Sequence, residues 1–167
     1  MTKVYIIGSL RNESIPRVAI EVRQFGFEVF DAWYSAGPDA DDYWRDHEKM
    51  KGSTYAEALA GHAAQNVFNF DKTHLDACDI AVLVYPAGKS AHLELGYCVG
   101  RGKKTVVFMQ ETPERYDVML NFADHVVIGG VTDLLDTLAK LGPCPLPFLE
   151  ATNVPLFPRY NGQLEQA

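Results

Sequence analysis

Apolar runs alternate with amphipathic stretches from the first residues onward, and that rhythm predicts most of the fold. Residues 3–10 (KVYIIGSL) form an apolar run rich in β-branched side chains, the pattern of a strand buried on both faces. The run breaks at Gly8, after which Ser14 and Pro16 stand as N-cap and first-turn proline of a helix over 16–24. That helix places Val18 and Val22 on one face and stops at Gly26, and residues 27–30 predict a second strand. Thr54 and Glu57 read as a capping box that opens one long helical pattern to about Cys78, with Leu59, Ala63, Val67, Phe70 and Leu75 in step. A third strand over 80–85 breaks at Pro86-Ala87-Gly88, and a helix opens near Ser90 and closes at the glycines around Arg101. Strands over 105–109 and 125–128 and a helix over 131–141 complete the order. The expected architecture is therefore α/β, a single doubly wound domain over residues 1–142 with five parallel strands. Residues 143–167 are rich in proline and read as a C-terminal arm suited to packing on a partner.

One stretch breaks the rhythm. Residues 31–52 carry Trp33, Tyr34, Tyr43 and Trp44 among Asp31, Asp39, Asp41, Asp42 and Asp46, with a turn at Gly37-Pro38 and no core periodicity in the first half. A loop of that length in a compact domain is usually functional, and Trp33 and Tyr34 could stack on a planar base or simply pack the loop down. The aspartates lack the glycine and spaced glutamate of a calcium loop, so no metal or other cofactor is expected.

Composition narrows the partners. A chain of 167 residues with 47% apolar residues fills one domain. A net charge of -7 without a dense basic patch argues against duplex nucleic acid, while a mononucleotide needs only a few local donors. Three cysteines without metal spacing (Cys78, Cys98, Cys144) read as reduced thiols in a cytoplasmic protein. The first apolar run ends by Leu10, so neither a signal peptide nor a membrane span is expected.

Candidate chemistry gathers after the first and third strands. Glu94 sits between Leu93 and Leu95 in the early turns of its helix, a costly place for a carboxylate that nothing uses. Were Ser90 the N-cap, the reciprocating capping residue would be Leu93, so a capping box does not explain Glu94. Favour from the helix dipole or a surface pair with Arg101 would. Gly8, Ser9, Leu10 and Arg11 make a strand-to-helix turn with free amides, a natural anion cradle. Asp71 falls on the surface by pattern alone, and Asp117 and Asn121 stand one helical turn apart after the fourth strand. In a doubly wound sheet, ligands bind beyond the carboxyl ends of the strands at the switch point, where the Gly8–Arg11 turn, the loop after the third strand and Glu94 should converge.

The motifs GSLRN and LELGYCVGRGKK resemble the nucleoside 2-deoxyribosyltransferase family, including its 2′-deoxynucleoside 5′-phosphate N-hydrolase branch. The resemblance covers residues 3–141. It implies a flavodoxin-like fold, Glu94 as the nucleophile that displaces the base from the anomeric carbon, and Asp71, eight residues before Asp79, as the proton-handling group at the base. Such chemistry suits a carboxylate pair, because an oxocarbenium-like transition state needs a carboxylate beneath the anomeric carbon and an acid at the leaving group. The resemblance further implies a nucleoside or nucleotide as the small-molecule partner, and a homodimer or higher homo-oligomer. Two positions depart from it. Gly88, with Ser90 two residues on, stands where the family has an aspartate or serine six residues before the nucleophile. Asp117, or Asn121 one turn on, stands where the hydrolase branch has a phosphate-holding serine. The expected function is cleavage of an N-glycosidic bond, with hydrolysis favoured over transfer. The alternatives are an NAD-type glycohydrolase and a non-catalytic nucleotide-binding module.

Overall fold

The structure is a computed structural model that describes residues 1–142; the predicted arm, 143–167, with Cys144, lies outside the described residues. Five strands, β1 (Lys3–Ile7), β2 (Glu28–Phe30), β3 (Ile80–Val84), β4 (Lys104–Met109) and β5 (His125–Ile128), form one sheet in the order β2-β1-β3-β4-β5. Every neighbouring pair is parallel, as predicted. The central strand β3, Ile-Ala-Val-Leu-Val, is buried at every position, which an all-parallel sheet covered on both faces requires.

Alternation along the strands divides the core into two layers. Val4 and Ile6, with Ile80, Val82 and Val84, pack against α1 (Ile15–Gln24) and α6 (Val131–Leu141). Tyr5, Ile7, Ala81 and Leu83 pack against α4 (His62–Ala77) and α5 (Lys89–Gly100). From β1 the chain leaves toward β2, and from β3 it leaves toward β4, so the switch point lies between β1 and β3.

Local chemistry moved several predicted boundaries. The single helix expected over 54–78 is two, α3 (Tyr55–Ala60) and α4, because Gly61 is extended (φ -71°, ψ 156°) and caps both. The Thr54–Glu57 capping box is present as read. Ser14 does not cap α1 with its side chain; instead Asn12 Oδ1 accepts from both the amide and the hydroxyl of Ser14. The stretch read as a loop is largely helical, a 3-10 turn over Ala32–Ala36 followed by α2 (Ala40–Met50). No apolar stripe announced α2, because its buried residue is Glu48, held by Lys51 Nζ at 2.9 and 3.0 Å. Arg11 donates to Asp42 at 3.0 Å and ties α2 to the turn after β1.

Gly8 is needed where β1 meets that turn. A Cβ there would stand 2.4 Å from Ile15 Cδ1 and 3.5 Å from the Trp33 ring, and Ile15 is fully buried. Gly8→Ala should therefore lower stability by about 1–3 kcal/mol through overpacking. Urea unfolding of the two proteins checks this, and an unchanged midpoint would refute it.

Candidate active site

Helix α5 carries the central carboxylate. Ala91, Leu95 and Cys98 face the sheet, and Gly102, with a positive φ of 67°, lets the chain turn back into β4. The helix is capped at Gly88, two residues earlier than the sequence suggests, so Glu94 lies in the second turn. Dipole support fades beyond the first turn. Burial accordingly dominates. It pushes the Glu94 carboxyl up to about 7, and the negative charge of Asp71 adds to the rise. A pair with Arg101 does not intervene, since that guanidinium lies 3.8 Å from Asp76.

Asp71, on the facing helix α4, is half-buried rather than on the surface. Burial raises its pKa, and His74 one turn on opposes the rise. Its Oδ1 is buried without a hydrogen-bond partner. Such an atom loses its hydration without compensation unless a ligand supplies a donor. Ties between the two helices hold the carboxylates in register. Tyr97 of α5 donates to Asp76 of α4, and Lys103 Nζ donates to the Asp76 and Cys78 carbonyls at 2.6 and 2.7 Å.

Tyr5 completes this centre and was hidden in the sequence as one more member of an apolar strand. Its phenol is driven far above the ordinary value, by burial first and then by Glu94 and Asp71, so it stays a protonated donor. Phe30 packs on Tyr5 with centroids 5.0 Å apart, and His74 stacks on Phe30 at 3.7 Å and 14°. The signal available was a single phenol inside a run of β-branched aliphatics.

Around the switch point the turns after β1 and β3 are joined by one side chain. Asn12 is buried, and its Nδ2 donates to the carbonyls of Val84 and Pro86 at 3.3 and 3.2 Å. Ser9 Oγ accepts from the Arg11 amide and the Ser9 carbonyl from the Asn12 amide, so these two donors of the predicted anion cradle are engaged within the turn. Leu10 is half-buried beside them. An open cleft of about 590 Å³ runs along these turns to the one after β4, lined by Arg11, Ser14, Tyr85, Gln110 and Thr112 among others. A hollow of about 540 Å³ lies at the opposite, amino-terminal end of the central strands, where Asp79 accepts from the Lys3 amide. It faces away from the carboxylates.

The remaining predicted residues are distributed as follows. Trp33 donates its indole N–H to the Ile6 carbonyl at 2.8 Å and packs on both core layers, and Tyr34 meets it edge to face at 5.7 Å. These contacts are the packing alternative. Gly88 caps α5 and its carbonyl meets His92 Nδ1 at 2.7 Å, while Ser90 is exposed in the first turn. Asp117 caps the 3-10 helix Val118–Phe122 through the Met119 amide, and Asn121 is exposed. Among the described residues, no three His, Cys, Asp or Glu side chains gather as metal ligands.

Solved structures share this fold. The CMP N-glycosidase BcmB of Clostridium botulinum superposes with a TM-score of 0.52 at 14% identity, over 83% of this chain and 99% of that one. A conserved protein of Enterococcus faecalis V583 gives 0.57 at 14%, over 84% and 98%. A 2-deoxyribosyltransferase of Bacillus psychrosaccharolyticus gives 0.55 at 19%, over 81% and 91%. No protein-family model and no curated protein matches the chain by sequence. At these identities the likeness establishes the fold.

The raised Glu94 pKa has a consequence for stability. Between its ordinary 4.5 and about 7 the folded state holds a proton that the unfolded state has released, so Glu94 weakens the fold progressively as pH rises through that window. Glu94→Gln should raise stability at pH 8 by roughly 2–3 kcal/mol, and the gain should vanish near pH 4. Thermal unfolding across pH tests this; a pH-independent difference would contradict it.

Proposed function

We propose that this chain is an enzyme that cleaves the N-glycosidic bond of a nucleoside or nucleotide, with Glu94 as nucleophile and Asp71 as proton carrier. The carrying observation is the pairing of a buried Glu94, raised to about 7, with an Asp71 that keeps an unpartnered buried oxygen. Two carboxyls whose environments resist ionisation are suited to divide the roles of nucleophile and acid. A Glu94 carboxylate oxygen attacks the anomeric carbon while the electrons of the C–N bond move to the base, which takes the Asp71 proton. Water, losing a proton to the Asp71 carboxylate, then attacks the same carbon and frees Glu94 and the sugar. A second base entering in place of water would give transfer. Tyr5, kept protonated by burial and by the charges of Glu94 and Asp71, adds no negative charge of its own to the centre.

The shared fold of the CMP N-glycosidase and the 2-deoxyribosyltransferase supports N-glycosidic chemistry as a class. Hydrolysis is the preferred outcome, since the GSLR turn resembles the hydrolase branch and the six-back aspartate is replaced by Gly88. A cytoplasmic setting fits the free thiols of Cys78 and Cys98. The proposed assembly is a homodimer or larger. Its support is the exposed apolar side chains Leu59 of α3 and Val67 (64% exposed) and Phe68 (58%) of α4, which a second copy could cover. Light scattering that reports a monomer at micromolar concentration would remove this part.

Chromatography of nucleosides and 5′-monophosphates incubated with the enzyme tests the reaction. Free base should form without an acceptor base, and Glu94→Ala should lower the rate by more than about 10³-fold. Asp71→Asn should lower it by about 10²–10⁴-fold. The rate should rise with pH as Glu94 ionises near 7. Turnover that survives Glu94→Ala would overturn the assignment.

A further inference from the structure

Two thiols that the proposed chemistry does not use meet beneath the carboxylate-bearing helices. Cys78 closes α4 just ahead of β3, and Cys98 sits in the last turn of α5, one helical turn beyond Glu94. Both are free and belong to the core layer under α4 and α5. Cys98 is fully buried, whereas Cys78 keeps 3% of its surface exposed. The Cys98 thiol donates to Cys78 Sγ, and Cys78 in turn donates to the Leu75 carbonyl at 3.2 Å.

Lys103 holds the pair from the backbone side. Its amide donates to the Cys98 carbonyl at 3.0 Å, and its Nζ donates to the Cys78 carbonyl at 2.7 Å. One residue therefore fixes both cysteine backbones. The same Nζ reaches the Asp76 carbonyl at 2.6 Å, so its positive charge stays beside the end of α4.

The two sulfurs are not equivalent. The hydrogen bond from Cys98 holds the Cys78 thiol below its ordinary range; burial opposes this and the Lys103 charge assists it. The same bond, together with burial, drives the Cys98 thiol up. The thiolate is the reactive form of cysteine, so Cys78, which also has the exposed edge, is the sulfur an oxidant meets first. Cys98 is already in place to resolve the product.

We infer that Cys78 and Cys98 form a reversible disulfide, a redox site that fastens the end of α4 to α5 beneath the Asp71–Glu94 centre. The oxidant is a peroxide. The Cys78 thiolate attacks one peroxide oxygen, the O–O bond breaks, and Cys78 becomes a sulfenic acid while hydroxide leaves and takes up the proton Cys78 had released. The Cys98 sulfur then bonds to Cys78 Sγ, and its proton departs with the sulfenic hydroxyl as water. Across both steps the sulfurs lose two electrons, and hydrogen peroxide gains them to become two waters. Two equivalents of a small thiol reverse the bridge and leave as their own disulfide. Bridges of this kind in a reducing compartment are transient and redox-sensing.

The position gives the bridge a consequence. Tyr5 feels the charges of Glu94 and Asp71 and also those of Cys98 and Cys78, so the couple adjoins the carboxylate centre. Closing it encloses β3 and most of α5 in one covalent loop, which restricts the unfolded chain and stabilises the fold.

The full chain treated with hydrogen peroxide, alkylated in denaturant and mapped by mass spectrometry tests the inference, with Cys144→Ser run alongside to remove the third cysteine. Residues 78 and 98 should be found joined and two hydrogens lighter than the dithiol, and dithiothreitol should restore both thiols. The oxidised chain should melt about 5–10 °C above the reduced one. Peroxide should give no such rise in Cys98→Ala, where dimedone should label Cys78 as a trapped sulfenic acid, while Cys78→Ala should leave Cys98 unlabelled. Thiols that resist peroxide in the folded wild-type chain, a bridge to Cys144, or sulfinic acid that no thiol reverses would overturn the inference. The readout is covalent, so a chain that releases no base refutes the proposed reaction and leaves this test intact.

Discussion

Keeping a carboxylate out of water in the second turn of a helix is the constraint on which the site depends. Glu94 is too deep in α5 for the helix terminus to relieve it, and its charge is opposed by burial and by Asp71. The surrounding fold supplies what such a group needs in order to persist. Fully buried β3 and its parallel neighbours give a rigid floor, and the Tyr97–Asp76 and Lys103 contacts fasten α4 to α5. Local destabilisation is thus set against a well-packed double core. The same burial that weakens the fold raises the Glu94 carboxyl to about 7, the range in which functional carboxyls are commonly found.

A second constraint acts at the strand ends. The switch point between β1 and β3 leaves two turns side by side, and Asn12 joins them with one amide while its oxygen accepts from the Ser14 amide and hydroxyl just ahead of α1. Tyr85 inherits its position from that arrangement, and His92 inherits its tautomer from the Gly88 carbonyl. The two sides of α5 therefore differ: Glu94 lies on the side of Asp71, and His92 meets Tyr85 beside the cleft.

Strand positions were legible because the buried parallel strands β1, β3 and β4 demand apolar, β-branched runs that few other structures use. Glu94 was legible for the converse reason, as a carboxylate where a carboxylate is expensive. Asp71 was not legible from periodicity, since helix α4 carries Val67, Phe68 and Phe70 on exposed positions and its apolar pattern does not report which side is inside. Only the spacing to Asp79 pointed to it. Helix α2 escaped notice because ion pairs, Arg11–Asp42 and Lys51–Glu48, hold it rather than an apolar stripe. Tyr5 and the Tyr85–His92 pair depend on neighbours brought together across strands and helices, which a linear pattern cannot display.

Capture of the covalent intermediate tests the central claim most directly. A 2-fluoro-substituted nucleoside slows both formation and breakdown of an oxocarbenium-like transition state, so an ester formed on the enzyme should accumulate. Mass spectrometry of the quenched protein, followed by peptide mapping, should find the sugar's mass added on the segment that contains Glu94, and none on Glu94→Ala. Base release by the wild-type chain with no adduct, or an adduct on another residue, would contradict the account.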